Sequence, residues 1–68
     1  MPYASADDLP DSVRRHLPAH AQDIFVAAFN SAYASHAGEA DREARAFRIA
    51  WAAVKRLYRK ADGAWVLR

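Results

Sequence analysis

The stretch ARAFRIAWAAVKRLYRKA, residues 44–61, decides the fold of this chain. Apolar residues return in it every three or four positions, which is the spacing of one face of an α-helix. The face consists of Ala44, Phe47, Trp51, Val54, Tyr58 and Ala61, flanked by Ala50 and Leu57. We therefore predict a helix from near Ala40 to Lys60 or Ala61, ended by Gly63.

A second helix is predicted from Pro18 to about His36. Its apolar residues have the same spacing and are Ala21, Ile24, Phe25, Ala28, Phe29 and Ala32. Gly38 is a natural stop after it. Because the aromatic rings of both helices fall on apolar faces, we expect them to form a core rather than a cofactor pocket.

A short first helix is predicted from about Pro10 to Leu17. Asp8 is a candidate N-cap, and Pro18 disfavours the helical conformation of the residue before it. Its apolar face has a spacing of four residues and consists of Leu9, Val13 and Leu17.

The two ends of the chain have extended character. Residues 2–5 and residues 64–68 are too short for helices, and the latter are rich in β-forming types. We expect these ends to pair by one or two bridges or to lie on the helices, with Tyr3 and Trp65 sealing the edge of the core. The predicted fold is a single all-α domain over residues 1–68, with three helices and a minor two-stranded β pairing of the chain ends.

Composition limits the function classes. The chain has 68 residues and no cysteine, which excludes disulfides, thiolate zinc sites and thiol catalysis. Small secreted domains usually need disulfides, and no signal peptide opens the sequence, so we expect a cytoplasmic protein. No apolar run approaches the roughly 18 residues of a membrane helix, so we expect no direct membrane insertion.

No pattern in the sequence points to catalysis, a cofactor or a metal site. The two glycines are isolated, so there is no glycine-rich phosphate loop, and no nucleophile motif is present. His16 and His20 are four residues apart, but Pro18 stands between them and breaks the helical face that a metal site would need. We expect a protein that is not an enzyme.

Charge is distributed unevenly along the chain. Residues 1–40 carry two basic and five acidic side chains, whereas residues 41–60 carry seven basic and two acidic ones. Most of the basic residues of the third helix fall within about one third of its circumference, and they are Arg45, Arg48, Lys55, Arg56 and Arg59. One interpretation of such a face is that it has no partner, in which case it is solvated and some of its charges pair with acidic residues from the first 40 positions. Alternatively, it contacts phosphate backbones, an acidic protein surface or anionic lipid headgroups.

Several blocks of the sequence resemble one known family. They are MPY at 1–3, DLPDSV at 8–13, LPAHAQDIF at 17–25, AFNSA at 28–32, AWAAVK at 50–55, Tyr58, Lys60 and GAW at 63–65. Together they resemble the ChaB family, whose members are described as regulators of cation transport. The resemblance covers almost the whole chain and is weakest over residues 35–46.

The resemblance implies three helices with a small two-stranded sheet. It also implies a cytoplasmic protein associated with a sodium–proton and calcium–proton antiporter, and it supplies no catalytic residues. Five residues in the matched blocks are candidate structural or contact residues, namely His20, Gln22, Asp23, Asn30 and Trp51.

Each polar residue of this set has a predicted role. We expect His20 or Gln22 to hold the first helix or the tail by side-chain hydrogen bonds. Asp23 is expected in the first turn of the second helix, where its charge favours the positive helix end. Asn30 is a poor helix former and is expected to bond a neighbouring backbone group or a partner.

The sequence thus predicts a non-enzymatic regulatory protein that docks its third helix on an acidic surface of a protein partner, such as a cation antiporter. Short cytoplasmic loops of membrane proteins are rich in Lys and Arg, so the acidic residues Asp7, Asp8 and Asp11 are an alternative docking site. A nucleic-acid-binding protein that uses the same basic helix face is the second alternative. A third is an oligomer formed through Ile49, Val26 and Tyr33. The oligomeric state remains open.

Overall fold

A computed structural model describes residues 3–68 of the chain. Its elements, in order, are a 3-10 turn Ala6–Asp8, helices α1 Asp11–Arg14, α2 Ala19–Ser35 and α3 Arg42–Leu57, and strands β1 Tyr58–Ala61 and β2 Ala64–Leu67. The predicted fold class is confirmed, because the described residues form three α-helices and one two-stranded sheet. Within residues 3–68, no helix is long and apolar enough to span a membrane.

The core lies between α2 and α3. Phe25 is fully buried and packs against three other aromatic rings. The centroid distances are 5.2 Å to Phe47, 5.4 Å to Trp51 and 6.4 Å to Phe29. The buried residues are Leu9, Val13, Leu17, Ala21, Phe25, Phe29, Ala32, Ala46, Ala50, Val54 and Tyr58. On α3 the most buried line is therefore Ala46, Ala50 and Val54. Alanines there let the helices approach closely, and the larger Phe47 and Trp51 pack half-buried beside that line.

The first helix is shorter than predicted. The apolar face of Leu9, Val13 and Leu17 is buried as expected, but regular α-helix covers only Asp11–Arg14. The prediction of Asp8 as N-cap is wrong. Asp8 ends the preceding 3-10 turn, and Pro10 occupies the N-cap position, where its carbonyl accepts from Val13 and Arg14 at 2.9 Å.

The prediction that the third helix reaches Lys60 or Ala61 is wrong. It ends at Leu57, and Tyr58–Ala61 instead forms β1, which pairs antiparallel with β2. Asp62 and Gly63 connect the strands with φ of 51° and 82°, as in the two-residue turns that suit a hairpin. Tyr58 belongs to the apolar face of the predicted longer helix and is also buried as the first residue of β1. Apolar spacing alone therefore does not distinguish a longer helix from a helix followed by a strand.

The two-stranded sheet is therefore a hairpin at the C-terminal end, rather than a bridge between the two chain ends. The N-terminal end lies on α2, where the ring of Tyr3 packs 4.7 Å from that of Phe29. Pro2, part of the predicted extended head, lies outside the described residues. At the other end Trp65 packs 5.7 Å from Trp51, and both Tyr3 and Trp65 are half-buried at the core edge.

Candidate functional site

Three cations of α3 form an exposed group, which we call the α3 cationic face: Arg48, Lys55 and Arg56. At 100° per residue they point away from Ala46, Ala50 and Val54, the line that packs against α2. Among residues 3–68, no carboxylate lies within ion-pair distance of any of these three side chains. Their charges are therefore exposed and available to a partner.

Arg45 is predicted on the same face, but its side chain forms ion pairs within the protein. Its Nε lies 3.2 Å from Oε1 of Glu39, and its Nη2 lies 3.6 Å from Oδ2 of Asp41. Glu39 also contacts the Nδ1 atom of His36. The turn before α3 thus brings two carboxylates to Arg45, which leaves it half-buried and paired.

Arg59 also departs from the predicted face, because it lies on β1 and not on α3. The register places it directly opposite Val66. Partners across a ladder share one face of a sheet, and Tyr58 on the other face is buried. Arg59 therefore lies on the outer, solvent-facing side of the hairpin.

His20 and Gln22 both link α2 to other elements. Nδ1 of His20 lies 2.9 Å from the hydroxyl of Tyr58 and hydrogen-bonds the start of α2 to β1. The Gln22 amide donates to the carbonyls of Leu17, at 2.7 Å, and Arg14, at 3.0 Å. Carbonyls at the end of a helix have no partner within it, so Gln22 supplies one at the bend between α1 and α2.

Asn30 holds the N-terminal end of the described chain. Its Nδ2 donates to the Tyr3 carbonyl and its Oδ1 accepts from the Tyr3 N–H, both at 2.8 Å. One side-chain amide thus replaces the pair of bonds that a neighbouring strand would supply. Burial, and next the negative charge of Glu43, raise the pKa of the Tyr3 phenol above its usual value.

Asp23 and Trp51 complete the predicted set. Asp23 is exposed, and it is the fifth residue of α2, so the prediction that it lies in the first turn is wrong. The helix starts at Ala19, and its first turn carries no acid. Trp51 is half-buried between Phe25 and Trp65 and belongs to the packing of the core edge.

Sequence reasoning missed a group of exposed aliphatic residues. Leu57, Val66 and Leu67 are exposed in addition to Ile49, which was predicted. The Asp62-Gly63 pair was the missed signal, because that dipeptide between β-forming residues favours a hairpin.

The other two residues proposed for oligomer contacts, Val26 and Tyr33, are less available. Val26 is half-buried against the core, and the guanidinium of Arg42 covers the Tyr33 ring at 3.6 Å.

The described residues offer little for other chemistry. Over residues 3–68, no three His, Cys, Asp or Glu side chains are close enough together to hold a metal ion. A shallow, open depression lined by Glu43, Ala44 and Phe47 lies at the start of α3.

Comparisons with known proteins give one consistent result. The family model ChaB matches residues 9–68. Proteins of Escherichia coli K12 and Shigella flexneri, each named "Putative cation transport regulator ChaB", are 48% identical over 91% of this chain and 90% of their own. The solution NMR structure of a protein of the same name matches with a TM-score of 0.84 and 44% identity, over 98% of this chain and 99% of that one.

Proposed function

This chain belongs to the ChaB family, and on that basis we propose that it is a non-enzymatic regulator of cation transport that acts by contact with a protein partner. The partner that the family resemblance implies is a sodium–proton or calcium–proton antiporter. The same resemblance supports a cytoplasmic location.

The observation that carries this proposal is the unpaired α3 cationic face. Arg48 and Arg56 are eight residues apart, which is about 12 Å along a helix. The burial of Ala46, Ala50 and Val54 fixes the helix below them, so the backbone positions of the cations are held at constant spacing. A rigid row of cations recognises a row of carboxylates with little loss of backbone entropy.

The partner surface that fits is therefore acidic. The competing docking site, Asp7, Asp8 and Asp11, would require a basic partner. Asp11 is engaged by Arg14 at 2.7 Å, so less of the acidic charge is available there. We favour the α3 cationic face on this ground.

The test measures proton-coupled sodium or calcium exchange in inverted membrane vesicles that contain the antiporter, with purified protein added. We expect the wild type to change the exchange rate and the variant Arg48→Gln/Arg56→Gln to lose most of that effect. The matched control is Arg14→Gln/Arg15→Gln, which removes the same charge from the opposite end of the described chain. Equal loss of effect in both variants would show that net charge matters and the face does not.

Nucleic-acid binding is the second candidate, and the same three cations favour it. Three phosphate contacts predict an affinity that falls with salt with a log–log slope of about −3. Fluorescence anisotropy of a labelled duplex at two salt concentrations measures this. Binding that is steeply salt-dependent and lost in Arg48→Gln/Arg56→Gln would favour this candidate, and no binding at low salt would exclude it.

A further inference from the structure

The two-stranded sheet has an open edge along β2. The Arg68 N–H donates to the Leu57 carbonyl at 2.9 Å, which makes these two residues a hydrogen-bonded pair. Such pairs alternate with non-bonded pairs in an antiparallel ladder, so the N–H and C=O groups of Trp65 and Leu67 point away from β1. Among the described residues, these four groups have no hydrogen-bond partner.

The opposite edge of the sheet, along β1, is less suited to accept another strand. The Tyr58 N–H already bonds the Val54 carbonyl at the end of α3. β1 also carries Arg59 and Lys60, and charged side chains on an edge strand hinder its pairing with a further strand. By contrast, β2, Ala64–Leu67, has no charged side chain. We call the open side of this strand the β2 edge.

The two faces of the sheet differ in chemistry at the β2 edge. On the inner face, Leu67 is 63% exposed and Trp65 is half-buried against Trp51. On the outer face, Val66 is 37% exposed and lies opposite Arg59. The side chains of an added strand would alternate between these faces, so every second one would lie beside Trp65 or Leu67.

Two cations border the outer face of this edge. Arg59 is one strand away from Val66, and Arg68 follows Val66 by two residues and so lies on the same face. Nε of Arg68 donates to the Lys55 carbonyl at 2.8 Å, but within residues 3–68 neither arginine has an ion-pair partner. An added strand with carboxylates on its outer face would therefore complement this charge.

We propose that the β2 edge binds an extended segment of a partner protein in which apolar and acidic residues alternate. Main-chain hydrogen bonds to Trp65 and Leu67 provide the affinity, and the apolar residues cover Leu67 on the inner face. The acidic residues lie near Arg59 and Arg68 on the outer face. A second copy of this chain would bring its own arginines to the edge instead of carboxylates. This contact goes beyond the proposed function, because it does not involve the α3 cationic face.

The experiment titrates the full chain into a fluorescent peptide of about seven residues in which valine and glutamate alternate, and anisotropy measures the binding. Amide hydrogen exchange measured by NMR locates the peptide. We expect the exchange of the Trp65 and Leu67 N–H groups to slow about tenfold or more in the complex. The N–H groups of Ala64 and Val66 already bond β1 and should change little.

Modified peptides test the hydrogen bonds without changing the protein. In antiparallel pairing the valine N–H groups face β2, so their N-methylation should weaken binding about tenfold or more. The matched control is N-methylation of the glutamates, whose N–H groups point away from β2, and it should bind within about threefold of the unmodified peptide. Glutamine in place of glutamate should lower the affinity severalfold.

Protein variants test which edge is used. Leu67→Pro removes an outward N–H and no bond of the hairpin, and it should lower the affinity about tenfold. Lys60→Pro is the matched change on β1 and should bind within about twofold of wild type. If Leu67→Pro loses its hairpin by circular dichroism, the N-methylated peptides still test the proposal on the unaltered chain. Arg48→Gln/Arg56→Gln should bind the peptide like wild type, so this test does not depend on the proposed function.

Four results would overturn the proposal. The first is no binding of the alternating peptide, and the second is equal affinity for the two N-methylated peptides. The third is binding without protection of the Trp65 and Leu67 amides, since the peptide would then lie elsewhere. The fourth is protection of the same two amides in concentrated protein without peptide, which would identify a second copy as the occupant.

Discussion

Replacing Asn30 with alanine removes the side chain that anchors the N-terminal end of the described chain. Two part-buried hydrogen bonds of 2.8 Å join its amide to the Tyr3 backbone. Each contributes about 1 kcal/mol, so their loss lowers the free energy of unfolding by about 2 kcal/mol. For a domain of this size that shifts the melting temperature by roughly 8–16 °C.

Urea unfolding followed by tryptophan emission measures this change, and Ser31→Ala, an exposed neighbour on α2, is the control. Asn30→Asp keeps the acceptor but sets a carboxylate against the Tyr3 carbonyl, so it should be at least as destabilised. A stability of Asn30→Ala within about 0.5 kcal/mol of wild type would refute the reasoning.

Three further predictions follow from the core, the turn and the phenol. Phe25→Ala empties a fully buried site between three rings and should lower the free energy of unfolding by about 3–5 kcal/mol, enough to abolish a cooperative thermal transition. The control Ile49→Ala, at an exposed site, should leave the transition in place. Gly63→Ala should lower the free energy of unfolding in urea by about 1 kcal/mol, because the φ of Gly63 is 82° even though there is space for the methyl group. The control Gly38→Ala, at a glycine with equal space and no positive φ, should be neutral or stabilising. Folding raises the pKa of the Tyr3 phenol, so the stabilisation from the neutral phenol is complete below pH 10.0 and is lost as the pH rises through the folded pKa. Above pH 10.0 the wild type should therefore lose more stability than Tyr3→Phe. Parallel pH profiles of the two proteins would contradict this.

The composition of the candidate site could be predicted from the sequence, but the availability of each charge could not. Arg45 and Arg48 are equivalent in a helical projection. The spacing of four residues between Asp41 and Arg45 is visible in the sequence and has no counterpart at Arg48. The second carboxylate, that of Glu39, reaches Arg45 only because the turn before α3 folds back on it. The pairing of Asn30 with Tyr3, which are 27 residues apart, likewise depends on the packed helices.

Local chemistry is sufficient to predict that α2 and α3 form and most of the residues they bury. On α3, however, Ala46 is buried and Ala44 is exposed, whereas the predicted face contains Ala44 and not Ala46. The run of apolar residues around Phe25 identifies a buried face because a helix repeats every 3.6 residues whatever surrounds it. Leu9, Val13 and Leu17 are buried as their spacing predicts, although only Val13 lies in regular helix.

The end of α3 was decided by the tertiary structure. Tyr58 is buried in a longer helix and in a strand alike, so its burial does not choose between them. The choice is made by hydrogen bonds between Tyr58–Ala61 and Ala64–Leu67, which exist only when the Asp62-Gly63 turn brings the two segments side by side.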